Sequence, residues 1–232
     1  MEFYAERAQP LIGPVDLLPQ AGAQPGPTGR PPNAYAIALP GRTILFDAPF
    51  SWALTDLDAR GAGGHPAGVL VLSHGHLIES GDAFRALIGD RGLRVVLHPA
   101  DRGPRAAAVL RGAFHGLHEV SLPEGARFLH LPGHTAGSIV LYLPMAGGIV
   151  LAGDSAVGAA PGETGPLRRP RLGRGSYPAF AQAWMTFVRT NPLAAVLPLH
   201  GAPLLRSQTP EFDRLVANVW EGEALDPAPH AA

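Results

Sequence analysis

The stretch "VLVLSHGHLIES", residues 69–80, opens as an unbroken apolar run and runs on into two histidines one residue apart. An apolar run of this length, bounded by polar residues, is the signature of a strand buried on both faces. His74 and His76 follow it where such a strand leaves the core for a loop. In extended backbone, residues i and i+2 point to the same side, so the two imidazoles can aim at one point. Gly75 between them adds no side chain to crowd the approach. Alone, the pair reads equally well as a metal site or as two structural histidines.

Three further polar residues share this context. His134 follows "FLHLPG", Asp154 follows "IVLAG" and His200 follows "AAVLPL". Strand ends in open α/β proteins collect ligand sites, because the sheet fixes the backbone while the loop exposes the side chain. Three converging imidazoles, binding zinc at ~2.0–2.1 Å, leave a coordination position open for water. A lone strand-end histidine is more often a hydrogen-bonded structural residue, and "GD" after a strand is often only a turn. Four such clusters in one context weigh toward ligands. His65, His98, His115, His118 and His130 lack the pattern and read as surface or satisfied core residues.

Outward from these motifs, "AYAIAL" and "TILFDA" read as a hairpin through "PGR", and "RVVLH", "ARFLHLP", "IVLYLP", "GIVLAGD" and "AAVLPLH" as further strands. Helices are expected within 51–60, over 81–90 with Ser80 as N-cap, and in part over 99–114 with an interruption at Pro104. Phe180, Trp184, Phe187 and Val188 form one helical stripe. Phe212, Leu215, Val216, Val219 and Trp220 form another, after Thr209 as N-cap and Pro210 at N1. Strand clusters separated by helices, in two successive halves, predict an α/β sandwich ahead of a doubly wound sheet. One domain over 1–232 is expected, irregular over 1–33 and frayed at about 224–232. Residues 156–176 read as a long Gly/Pro/Arg loop of the kind that is functional or disordered.

Composition narrows the chemistry. The 46% hydrophobic content supports a real core, and a net charge of -1 without a basic aromatic stripe argues against nucleic acid. Cysteine is absent, which leaves histidine and carboxylate as metal ligands. Every basic side chain is arginine, so Schiff-base chemistry and a P-loop lysine are excluded. The N-terminal "MEFYAERAQPLIGP" has no basic region leading into a long apolar stretch, and no segment approaches the ~18 apolar residues of a membrane span. A soluble cytoplasmic protein with a small-molecule substrate is expected.

"VLVLSHGHLIES", "LPGHTAGSIVLYLP", "IVLAGDS" and "AAVLPLHGAP" together resemble the metallo-β-lactamase fold superfamily, which includes glyoxalase II-type thioesterases, lactonases, β-lactamases and sulfur dioxygenases. The resemblance runs from about residue 34 to 203, with "PGHTAGS" its most specific segment. It implies a four-layer αβ/βα sandwich with the metal site between the sheet edges. It also implies His74, His76 and His134 as ligands of a first metal, Asp154 as a bridging carboxylate, and His200 as a ligand of a second metal. "LFDAPF" also resembles the family's early strand that ends in Asp, which makes Asp47 a residue that supports the ligands from behind.

The family motif His-x-His-x-Asp-His is broken here. Ile78 stands at the Asp position and Glu79 at the second His position. The second site then keeps only Glu79, Asp154 and His200, a set that suits zinc, manganese or iron. One firmly bound metal, zinc first and iron or manganese next, with a weak or empty second site is expected. The resemblance implies a hydrolase of small esters, thioesters or lactones acting through metal-bound hydroxide, with Asp154 or Glu79 handling the water proton. The alternatives are a mononuclear iron dioxygenase for a thiol or persulfide, using His74, His134 and Asp154, and a catalytically degenerate binding protein. Arg168, Arg169, Arg171 and Arg174 read as a solvated loop ahead of a clamp for an anionic substrate.

Overall fold

Each apolar run of the sequence becomes a strand where turn residues bound it. The computed structural model describes residues 5–23, 29–54, 67–78, 89, 92–110, 114–161, 163, 167 and 177–217. It divides into two compact units, one of residues 1–23 and 33–123, the other of residues 24–32 and 124–232.

The first unit holds a seven-stranded sheet in chain order: β1 (Gln9–Ile12), β2 (Val15–Leu17), β3 (Tyr35–Leu39), β4 (Arg42–Phe46), β5 (Ala67–Val71), β6 (Arg94–Val96) and β7 (Phe114–His115). Pairing is antiparallel from β1 to β4 and parallel from β4 to β7. The β3–β4 hairpin turns at Gly41, whose φ of 74° suits a residue without Cβ. Ile44, Leu45 and Phe46 of β4 and Leu70, Val71 and Leu72 at β5 are all buried, as parallel strands covered on both faces require.

Residues 1–33, read as irregular from the sequence, carry the β1–β2 hairpin. Pro10 hides it, since proline cannot donate to a ladder, yet it is tolerated because β1 is the sheet's edge. Pro104 does not interrupt a helix but opens one, α1 (Pro104–Leu110), where its missing N–H costs nothing. A 3-10 turn, Pro99–Asp101, precedes it. The helix expected within 51–60 is described only as the 3-10 turn Ser51–Leu54. The helix over 81–90 and its Ser80 cap lie outside the described residues, apart from Gly89.

The second unit holds β8 (Arg127–His130), β9 (Ile139–Leu143), β10 (Ile149–Gly153), β11 (Ala195–Pro198) and β12 (Leu204–Leu205), in the order β12-β11-β10-β9-β8. Only β10 and β11 run parallel. The two leucines of β12 are too short a run to show a period. Two helices, α2 (Tyr177–Thr190) and α3 (Phe212–Ala217), pack their predicted stripes into this unit's core. Phe180, Trp184 and Phe187 of α2 meet Phe212 and Val216 of α3, and Trp184 Nε1 donates to the Val216 carbonyl at 3.1 Å. Val219 and Trp220 lie outside the described residues.

Two outcomes are expected. Trp184→Ala removes a fully buried ring and leaves the Val216 carbonyl without this donor, and should cost about 3–5 kcal/mol in urea unfolding. Exposed Gln182→Ala on the same helix should stay within about 0.5 kcal/mol. The second concerns Asp213, whose carboxyl is held below its ordinary value chiefly by hydrogen bonding from Arg206. A depressed pKa stabilises above the unfolded value and is lost as pH falls through the folded one. Asp213→Asn should therefore cost at most about 1 kcal/mol at neutral pH, since the pair is solvent-exposed, and the gap from wild type should close in acid below about pH 4.

Candidate functional site

Register brings the polar strand ends of the first unit to one edge. Phe46 lies opposite Val71, and Val71 opposite Val96, so the residues after β4, β5 and β6 emerge side by side. Asp47 follows β4, fully buried and with a φ of 51°. A non-glycine residue in the left-handed region is uncommon, and aspartate is among the few that enter it readily. The conformation lets its Oδ1 accept from the Ser73 amide at 2.6 Å while its own N–H donates to the Val71 carbonyl at 2.9 Å. Asp47 thus holds the residue just before His74. Burial, and next the charge of Asp47, push the neighbouring Tyr35 hydroxyl well above its usual pKa.

His74 is buried, with its Nδ1 3.0 Å from Ser73 Oγ. His76 is exposed, and the two rings stand perpendicular with centroids 5.2 Å apart. The expected extended route through the pair is corrected by the structure. His74 alone is extended, and Gly75–Leu77 forms a 3-10 turn. Two causes act together. The Gly75 amide is taken by the Asp101 carboxylate at 2.8 Å, and Leu77 and Ile78 turn back into the core, 5% and 1% exposed. Ile78 is therefore a core residue at the motif's Asp position. Glu79 lies outside the described residues.

In the second unit the donors also share an edge. β10 and β11 run parallel and, after a register shift, end with Gly153 opposite Pro198, so Asp154 and His200 leave neighbouring strand ends. His134 sits in the β8–β9 loop, which returns to the same end of β10 because β9 runs antiparallel to it. That loop is tight: the Gly133 amide donates to the Thr135 carbonyl at 3.0 Å and the Thr135 amide to Ser138 Oγ at 2.9 Å. A carboxylate can only accept, so His200 Nδ1 donates to Asp154 Oδ1, at 2.7 Å. His134 Nε2 stands 3.5 Å from Asp154 Oδ2. The three side chains are 19%, 11% and 22% exposed in the order His134, Asp154, His200.

His200 is held from behind by backbone. Its carbonyl accepts from Gly158 N at 2.8 Å, it forms an antiparallel bridge with Pro32, and Gly201 N donates to the Pro31 carbonyl at 3.2 Å. The packing admits no side chain at Gly158, where a Cβ would lie 2.1 Å from the Ala202 carbonyl oxygen. Arg30, buried, donates through Nε to the Gly158 carbonyl at 2.7 Å and through Nη2 to Glu163 at 3.2 Å. Arg30 carries no sequence signal, since it stands alone in a Gly/Pro-rich stretch. Asp101 was equally invisible. Arg168, Arg169, Arg171 and Arg174 lie outside the described residues.

So the structure brings His74 together with His76 in one unit, and His134, Asp154 and His200 together in the other. Imidazole nitrogens and, in the second unit, a partly buried carboxylate are side chains of the kind that ligate metals. Among the described residues, no helix is long and apolar enough to cross a membrane.

No protein-family model and no curated protein matches the chain. Solved structures do. The B3 metallo-β-lactamase BLEG-1 shares 22% identity, covering 87% of this chain and 97% of its own, at a TM-score of 0.59. The metallo-β-lactamase FIM-1 of Pseudomonas aeruginosa, in a mono-zinc form, shares 17%, covering 93% and 96%, at 0.61. TTHA1623, in a di-iron-bound form, shares 24%, covering 78% and 93%, at 0.54. Identities this low speak to architecture, and the architecture agrees with the sequence motifs: the chain has the metallo-β-lactamase fold, an α/β sandwich.

Proposed function

We propose that the protein is a metal-dependent hydrolase of a small ester, thioester or lactone. The observation that carries this reading is the Asp154 carboxylate, set at the end of buried β10 between His200 at 2.7 Å and His134 at 3.5 Å. Support comes from the perpendicular imidazole pair His74 and His76 and from the mono-zinc and di-iron forms of fold neighbours. In this reading His74, His76 and His134 hold one metal with Asp154, and zinc fits the donors best. A second metal, if taken up, rests on Asp154, His200 and Glu79, and is weak because Ile78 supplies no oxygen.

When bound, the metal lowers the pKa of a coordinated water towards ~7 and polarises the scissile carbonyl. The chain's own residues do the rest. Ser73 engages His74 Nδ1, which makes Nε2 the nitrogen that His74 offers to the metal. Asp154 keeps His200 in one tautomer and orientation. Asp154 and Glu79 are the carboxylates that would take the proton from the attacking water, the task the missing motif Asp commonly performs. The substrate is small, and nothing in the charge pattern supports nucleic acid.

Elemental analysis of untagged protein should find about one equivalent of metal per chain, as a single three-imidazole site predicts. His74→Ala and His134→Ala should abolish it. Iron with oxygen uptake in place of ester cleavage would replace the hydrolase by a thiol dioxygenase. No uptake after dialysis against zinc, iron and manganese would leave a binding protein. Asp154→Asn should lower kcat/KM on a turned-over ester by about a hundredfold or more. Rebuilding the motif by Ile78→Asp should fail. The new carboxylate would be buried at a position only 1% exposed, and the thermal midpoint should fall without a gain in rate.

A further inference from the structure

We infer that Asp101 is a positioning residue for the His74–Gly75–His76 turn, and that its carboxylate fixes the mutual angle of the two imidazoles by holding the Gly75 amide. This rests on the metal-binding reading above. The first N–H groups of a 3-10 turn have no partner within the turn, so the Gly75 amide needs an outside acceptor. Asp101 Oδ2 supplies it at 2.8 Å. The approach is close along the whole residue, since a Cβ on Gly75 would stand 3.1 Å from Asp101 Cβ and 3.2 Å from its carbonyl oxygen. Gly75 is therefore small for the sake of Asp101, and not only to keep the histidines uncrowded.

The acceptor is itself held. Asp101 ends the 3-10 turn that follows β6, and its amide donates to the His98 carbonyl at 3.0 Å. His98 Nδ1 accepts from Ala100 N at 3.2 Å. Arg102 donates to the Leu97 carbonyl at 3.1 Å and, through Nη2, to the His115 carbonyl at 2.8 Å, tying the turn to both β6 and β7. β5 and β6 are parallel neighbours with Val71 opposite Val96, so the two loops leave the sheet side by side. In the resemblance's motif a carboxylate two residues past His76 shares the metal site. Here Ile78 removes it, and a carboxylate from the next strand end grips the turn through its backbone instead. Asp101 restores rigidity, not a ligand.

The test uses the full chain, ¹⁵N-labelled, as wild type, Asp101→Asn, Asp101→Ala and Gly75→Ala. Exchange of the Gly75 amide is followed in metal-free protein, and zinc affinity is measured by competition with a chromophoric chelator. Asp101→Ala should speed Gly75 exchange and weaken zinc by about tenfold, the lower end of what losing a supporting partner costs a metal site. Asp101→Asn keeps an oxygen acceptor and should stay within about threefold on both readouts. Gly75→Ala should weaken zinc as Asp101→Ala does. Where Asp101→Ala does not fold, Asp101→Ser, whose hydroxyl stops short of the Gly75 amide, gives the same reading. Zinc affinity unchanged in Asp101→Ala overturns the inference. So does an Asp101→Asn as weak as Asp101→Ala, which would make the carboxylate a charge or a ligand. If wild type takes up no zinc, the hydrolase reading falls, and the Gly75 exchange rates alone decide whether Asp101 holds the turn.

Discussion

Parallel pairing between buried strands is the constraint from which the rest of the site follows. In β4, β5 and β6, and again in β10 and β11, neighbouring strands end at one level because their apolar residues must pair in register to be covered. Shifting a whole strand by one residue would turn its side-chain set over, so register is kept along most of each pair, with one local irregularity in β4–β5 and one in β10–β11. Whatever follows the strands is then delivered to the same edge. Asp47, His74 and Asp101 arrive this way in one unit, and Asp154 and His200 in the other. The chemistry is polar, but its placement is decided by apolar packing.

Around these strand ends the backbone is held more than the side chains suggest. Asp47 in a left-handed conformation grips Ser73, Asp101 grips Gly75, and Gly158 grips His200. Each acts through a backbone group next to or within a candidate ligand. Such indirect holding is how a loop can carry imidazoles at a fixed angle without a covalent tie. In the same segment Ile78, at the motif's aspartate position, is buried in the core.

Strand positions and the strand-end donors were legible in the sequence because both rest on local signals: apolar runs, and polar residues at their ends. His134, Asp154 and His200 were found on that basis, and the structure brings them together. The β1–β2 hairpin was not legible, since Pro10 masks a four-residue edge strand. Neither was the 3-10 turn at Gly75–Leu77, because an H-x-H triplet looks the same whether extended or turned. Asp101 and Arg30 were missed for a deeper reason. Their partners, Gly75 and Gly158, are distant in sequence, and a backbone amide or carbonyl leaves no residue type to notice.

The grip of Arg30 on Gly158 spans most of the chain length, and the Pro32–His200 bridge spans more. Closing loops of that size costs conformational entropy, and folds rich in contacts of high sequence separation form more slowly. The β8–β9–β10 meander can form from neighbours alone, carrying His134 and Asp154 with it. Residues 30–32 precede β11 in synthesis, so their contacts with His200 and Gly201 form only after β11 has been made. Seating of His200 is therefore tied to the order of synthesis. It is locked only when residues 30–32 meet the segment that follows β11.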